Sequence, residues 1–279
     1  MLTDYHVHLR PDEPGTTVER YFTAENAKRY REAASERGIE ELGVSEHIYR
    51  FTQALTVWSH PFWVQNSADD LDEYAAYVRQ QTDLKLGIEA DFVLGAEDRM
   101  QELLLARDFD YVVGSVHFVG DRAVDMDEFT IWDGSHSVEE IWTRYFELLA
   151  IAARSGLFDI LAHADLVKVW GRGRPQPDGD LRRYYEPAIE AIAESGIAVE
   201  VSTAGLRKHV EEIYPAPAFL AMCMEVGAPI ALSSDAHVPE HIGADYSQAL
   251  ELLEAAGVSE LCVFSRRQRS LQPIGVQVA

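Results

Sequence analysis

His6 and His8 stand two residues apart in Tyr5-His6-Val7-His8, a spacing that sends both imidazoles to one face of an extended strand. The same interval recurs downstream, between Glu89 and Asp91, Ser115 and His117, His163 and Asp165, and Asp235 and His237. The chain has 10 histidines. Six of them, His6, His8, His47, His117, His163 and His237, fall at or just beyond the end of a strand-like run, whereas His60, His136, His209 and His241 do not. One histidine at a strand end is most simply a hydrogen-bonded residue; six at equivalent ends of different strands point to ligands. Neutral imidazole and carboxylate suit zinc, manganese or iron. The donors outnumber what one tetrahedral ion takes, so two or three divalent ions are expected. Neighbouring ions repel one another, and a bridging carboxylate reduces that repulsion. Glu89, just past Gly87-Ile88, is the candidate bridge.

Cations gather near the same strand ends. Arg207 lies in Thr203-Ala204-Gly205-Leu206-Arg207-Lys208-His209, directly after the sixth strand-like run. A planar guanidinium can clasp phosphate with two hydrogen bonds, and Gly205 is expected to let the backbone approach closely. Lys168 follows His163-Ala164-Asp165, and Arg10 follows His8. Each of these is also readable as an ordinary surface charge. Taken together beside a multinuclear metal site, they point to a small phosphorylated substrate held by Arg207, Lys168 and Arg10.

The composition narrows the partners. With 24 basic and 47 acidic residues in 279, the net charge is −23, which repels a phosphate backbone, so no nucleic-acid polymer is expected as a partner. Cys223 and Cys262 are the 2 cysteines, too far apart in sequence for a zinc knuckle or a disulfide framework, and Cys223 reads as a small buried hydrophobe. The start, Met1-Leu2-Thr3-Asp4, shows neither the basic region nor the apolar core of a signal segment. No apolar run approaches the ~20 residues needed to span a bilayer. A cytoplasmic protein without a membrane partner is the expectation.

Strand-like runs must position these groups: Leu2–His8, Glu41–Ser45, Leu84–Ile88, Tyr111–Val116, Ile160–His163, Ala198–Val201 and Ile230–Ser233. Amphipathic helical patterns alternate with them, over Thr23–Arg37, Val138–Ser155, Arg182–Ser195 and Asp245–Ala256, each followed by a glycine that stops a helix. Alternation of this kind predicts a parallel α/β barrel in one domain, residues 1–279. A doubly wound open sheet would carry a glycine-rich phosphate turn after its first strand, and here that strand runs into His-Val-His-Leu-Arg. Two aperiodic inserts, Tyr49–Asp69 and Phe118–Ser137, would rim the mouth of the barrel. The aromatics of the first, Tyr49, Phe51, Trp58, Phe62 and Trp63, form either a lid or packing over the rim.

His-Val-His-Leu, Ser-Glu-His, Gly-Ile-Glu-Ala-Asp, Gly-Ser-Val-His-Phe, Ala-His-Ala-Asp-Leu-Val-Lys and Ser-Asp-Ala-His occur in this order from residue 6 to residue 237. The set resembles the successive motifs of the polymerase and histidinol phosphatase (PHP) superfamily. Glu200-Val-Ser-Thr-Ala-Gly-Leu-Arg-Lys, with Glu212-Ile-Tyr-Pro, resembles more narrowly its histidinol-phosphate phosphatases. The resemblance implies a distorted (βα)7 TIM-like barrel with a trinuclear site of zinc, manganese or iron. It assigns His6, His8 and Asp235 to a first ion, Glu89 as the bridge to a second, His117 and His163 to that second ion, and His47 and His237 to a third. It implies hydrolysis of L-histidinol phosphate in histidine biosynthesis by attack of a metal-bridging hydroxide, with Arg207 offsetting phosphoryl charge. Asp165 or a metal-bound water would protonate the leaving group. Another small phosphorylated substrate, such as a nucleotide, is the alternative. A non-catalytic scaffold module would have lost ligands, and all eight positions are filled.

Overall fold

The computed structural model describes residues 1–13 and 15–275. Seven parallel strands carry the site: β1 (Thr3–Asp4), β2 (Glu41–Val44), β3 (Lys85–Asp91), β4 (Tyr111–Ser115), β5 (Ile160–Leu161), β6 (Ala198–Ser202) and β7 (Ile230–Ser233). They hydrogen-bond in sequence order, β1 to β7. Beyond the ladder, a parallel bridge joins Val7 to Ala236, with His8 N–H donating to Ala236 O at 2.7 Å and Ala236 N–H to His6 O at 3.2 Å. The sheet is thereby almost closed into the expected barrel.

A long helix follows each strand: α1 (Ala24–Glu36), α2 (Leu71–Gln81), α3 (Glu97–Leu105), α4 (Val138–Arg154), α5 (Arg182–Ser195), α6 (Pro217–Glu225) and α7 (Tyr246–Ala255). Local chemistry sets their limits. Ser137 and Glu140 form a reciprocal capping box at the start of α4, and Asp70 accepts from Asp72 N and Glu73 N at the start of α2. Gly196, with φ +65°, supplies the left-handed stop of α5.

The inward face of the strands changes character along the barrel. At its lower end Tyr111, Val113, Ile160, Ala198 and Ala231 pack with Tyr5 into a dry cluster. Two residues further along the same faces come the polar groups, because side chains alternate with period two: Ser115 after Val113, Glu200 after Ala198, Ser233 after Ala231. Tyr111 needs two glycines to fit. A Cβ on Gly43 or Gly87 would lie 2.3 Å from its ring or hydroxyl. Gly87→Ala is accordingly expected to destabilise the fold by about 1–3 kcal/mol, read as a lower denaturation midpoint; an unchanged midpoint would show that the ring can turn aside.

A C-terminal hairpin, β8 (Glu260–Ser265) and β9 (Gln268–Pro273), follows α7. Its Cys262 and Phe264 complete the dry cluster, and Phe264 N–H donates to Tyr5 Oη at 3.2 Å. Arg267 fastens the hairpin turn by donating to Asp159 at 2.9 Å and to Leu157 O at 2.6 Å. The hairpin closes the floor. Among the described residues, no helix is long and apolar enough to cross a membrane.

Candidate metal centre

Glu89 is the hub of the polar end. It is buried on β3, and its Oε2 lies 3.3 Å from His6 Nε2, 3.5 Å from His8 Nε2 and 2.5 Å from His47 Nδ1. Its Oε1 lies 3.4 Å from His117 Nε2 and 3.3 Å from His163 Nε2. One carboxylate therefore touches five imidazoles from four strand ends. Asp235 adds a second acidic arm, with Oδ1 3.3 Å from His8 Nε2, 3.7 Å from His6 Nε2 and 3.5 Å from His237 Nδ1. The rings of His47 and His237 stack on that of His8 at 4.1 and 4.2 Å. All eight expected ligand residues are brought together.

The backbone bends to achieve this. His163 and Asp235 have φ of +23° and +50°, left-handed values that non-glycine residues adopt at a cost of about 1–3 kcal/mol each. Both lie just past strand ends.

Two further carboxylates aim the imidazoles. Asp91, on the same face of β3 as Glu89, accepts from His117 Nδ1 at 2.7 Å. Glu200 pairs with His6 Nδ1 at 2.8 Å and accepts from His163 N–H at 2.6 Å. Fixing Nδ1 in this way turns each Nε2 toward Glu89. Asp12, in the loop after β1, is a donor that sequence spacing does not single out. Its Oδ2 lies 2.9 Å from His237 Nε2 and 3.4 Å from His47 Nε2. The loop is clamped from beneath by the buried Arg50, which bonds Asp12, Glu46 and Arg10 O, while Glu46 accepts from Leu9 N–H at 2.7 Å.

The donor set fits divalent ions. His6 Nε2, His8 Nε2 and Asp235 Oδ1 are all shut from solvent yet make no well-directed hydrogen bond among the described residues, a costly arrangement unless something else occupies them. Three groups converge closely enough to hold an ion: His6, His8 and Asp235; His6, Glu89 and His163; and His8, His47 and His237. Neighbouring groups share residues, as a multinuclear centre requires.

The cations fall into different places. Arg207 ends the turn after β6, half-buried, and its Nη2 donates to Ser234 O at 2.5 Å and Asp235 O at 3.4 Å. Nη1 has no partner among the described residues, so the guanidinium is braced against the Asp235 backbone with one end available. Arg10 borders the mouth but is paired with Asp69 at 2.7 Å. Lys168 is not a rim cation. It is buried, with Nζ 2.9 Å from Asp165 Oδ2, 2.5 Å from Glu212 Oε2 and 3.1 Å from Ile213 O. Asp165 Oδ2 also accepts from Ala216 N–H at 2.8 Å. The expected proton donor and second phosphate-binding cation thus form an ion pair of their own, bracing the Glu212–Ala216 segment. Gly205 also differs from expectation. A Cβ there would lie 1.9 Å from Glu212 O, so the close approach it permits is to this same segment rather than to a ligand.

The PHP domain family model matches residues 21–204. The chain belongs to the PHP family. A match to the probable histidinol-phosphatase of Deinococcus radiodurans is 33% identical and covers 88% of this chain and 92% of that protein. The histidinol-phosphatase of Bacillus subtilis is 25% identical, covering 80% and 91% respectively. The fold is shared with the crystal structure of histidinol phosphate phosphatase from Lactococcus lactis complexed with Zn, L-histidinol and phosphate. That comparison has a TM-score of 0.70 at 20% identity, over 96% of this chain and 98% of the other.

In this PHP site the buried carboxylates raise the pKa of the imidazoles they face. Burial alone would strip the imidazoles, but Glu89 and Asp12 hold His47 up to about 9, and Asp91 and Glu89 hold His117 up to about 10. His8 goes the other way, well below its ordinary value, because burial is reinforced by His47 and His237. His6 is likewise held well above its ordinary value by Glu200, Glu89 and Asp235 against its burial, so His6, His47 and His117 keep their protons at pH 7.5 in the metal-free protein, and an ion must displace them. Metal uptake should therefore release on the order of three protons per chain at pH 7.5, and affinity should climb as pH rises toward 9. Calorimetry in buffers of different ionisation enthalpy measures this; zero net release would show the imidazoles already neutral.

Proposed function

We propose that this chain is a metal-dependent phosphomonoesterase that hydrolyses L-histidinol phosphate to L-histidinol and phosphate, a cytoplasmic step of histidine biosynthesis carried out by one barrel domain. The observation that carries the reading is a multinuclear donor set centred on Glu89 with a half-free guanidinium, Arg207, braced at its edge. The names of the relatives agree with it, and the zinc, L-histidinol and phosphate of the Lactococcus complex are the components this site is suited to hold.

His6, His8 and Asp235 would hold one ion, His117 and His163 a second, with Glu89 shared between them. His47, His237 and Asp12 would hold a third. Divalent ions bound there supply the positive charge that acidifies water near neutral pH and offsets charge on the phosphoryl oxygens. The rest belongs to the chain. Arg207 Nη1 donates to a phosphoryl oxygen while Nη2 stays on Ser234 O, which fixes the guanidinium before substrate arrives and lowers the ordering cost. Asp91 and Glu200 hold His117 and His6 in the tautomer that presents Nε2 inward. Burial of the donors keeps bulk water from screening these charges.

The test is phosphate release from L-histidinol phosphate, a set of mononucleotides and simple alkyl phosphates, using protein loaded with zinc, manganese or iron. A kcat/KM for L-histidinol phosphate well above the rest is expected. Equal or faster hydrolysis of a mononucleotide would overturn the substrate assignment and leave the phosphoesterase chemistry standing.

A further inference from the structure

A cleft of about 440 Å³ opens from the metal centre, lined by His47 and His117 on one side. Its outer wall is aromatic. Tyr49 stacks on His47 at 4.8 Å, Phe62 meets Tyr49 edge-on at 4.9 Å, and Phe118 follows at 5.8 Å. The insert after β2 therefore does two jobs, since Phe51 and Trp63 are buried in the core while Tyr49 and Phe62 face the cleft.

The charges around this cleft do not cancel. Arg10 is neutralised by Asp69 and Arg50 by Glu46, and Asp12 faces His47 and His237. Of the other carboxylates lining the cleft, Glu13 is exposed to solvent, whereas Asp125 is partly buried and lies within electrostatic reach of His117. Asp125 sits just after Val124, whose N–H donates to His117 O at 2.9 Å, and its Oδ1 is screened from solvent with no donor among the described residues. A screened carboxylate oxygen without a donor is costly to keep, unless a ligand brings one. Aromatic faces beside it favour a flat ring or a cation.

Resting on the phosphatase reading above, we infer that Asp125 is a specificity residue: it accepts a hydrogen bond from a cationic nitrogen at the end of the substrate remote from phosphate, with Tyr49, Phe62 and Phe118 packing against that end. In L-histidinol phosphate the nitrogen is either the primary ammonium or a ring N–H of the imidazole. Both are positively charged or polarised donors, and the cleft selects for them over an alkyl or aryl group that carries none. Phosphate recognition by Arg207 stays common to every substrate.

The experiment compares Asp125→Asn with wild type, both fully loaded with metal, on L-histidinol phosphate and on 4-nitrophenyl phosphate, and reads the ratio of the two kcat/KM values. The expected fall in that ratio is about 10- to 100-fold, the loss of a charge-assisted bond. L-Histidinol, as an inhibitor of 4-nitrophenyl phosphate hydrolysis, should weaken by a similar factor. Propanolamine phosphate and an imidazolyl-alkyl phosphate without the amine assign the donor, because the one whose kcat/KM the variant impairs carries the nitrogen that Asp125 reads. If wild type prefers L-histidinol phosphate and the variant keeps both the preference and the inhibition, the role of Asp125 is overturned while the phosphatase reading survives. If wild type shows no preference, that reading fails first. Should Asp125→Asn not retain metal, Phe62→Ala, on the outer wall, must lower the same ratio and weaken L-histidinol; no change in either overturns the cleft assignment.

Discussion

Glu89→Gln should abolish activity and metal retention together. Replacing one carboxylate oxygen by an amide removes the negative charge that five imidazoles share and places an N–H₂ where a ligand atom is required. The expected loss in kcat is roughly a thousandfold or more, about 4 kcal/mol in barrier, with at least one ion fewer per chain by elemental analysis. Glu89→Asp keeps the charge but withdraws it by one methylene, so partial metal retention with low activity should separate charge from reach. A Glu89→Gln protein with full metal content and near-normal turnover would remove Glu89 from the bridging position.

Arg207→Ala should behave oppositely, sparing the metals and losing the substrate. Its Nη1 is a charged donor at the edge of the cluster with no partner among the described residues, and a charge-assisted bond to phosphate is worth about 1.5–3 kcal/mol. That predicts a fall in kcat/KM of roughly tenfold to a hundredfold or somewhat more. Arg207→Lys should recover little, because an ammonium cannot brace Ser234 O and reach phosphate at once. Loss of metal in parallel with activity would instead make Arg207 a support for the Asp235 backbone.

The barrel was legible because parallel strands buried on both faces read as short apolar runs, and all seven lie where those runs do. Their limits were less so. The run Leu2–His8 pairs as a ladder over Thr3–Asp4, because the chain leaves the ladder to turn His6 and His8 inward. Conversely, β3 continues to Asp91, since Glu89 and Asp91 still pair with Val113 and Ser115; polar residues inside a strand hide its end. The helix α6, apolar on most sides, and the exposed strand β9 carry no clean period.

Site residues were readable where residue type and strand-end position coincide, as with His6, Glu89 or Asp235. Asp12 carries no such mark among 47 acidic residues, and only the fold brings it against His47 and His237. Asp165 and Lys168 illustrate the converse. Both follow a strand end, but the partner that claims Lys168 is Glu212, 44 residues later, and no local pattern announces a chain returning from that distance. Asp165 itself is buried deeply enough for burial to raise its carboxyl above the ordinary range despite Lys168.

The hairpin that carries Cys262 and Phe264 has a consequence for traffic. With the floor sealed, the barrel is a cul-de-sac, and both products of the proposed reaction must back out through the mouth by which the ester entered. On the proposed reading the alcohol would lie outward and phosphate at the depth of Glu89, so the alcohol would leave first and phosphate last. Free phosphate would then compete with the incoming ester for the same dead-end pocket, so accumulated phosphate should raise the apparent KM for ester.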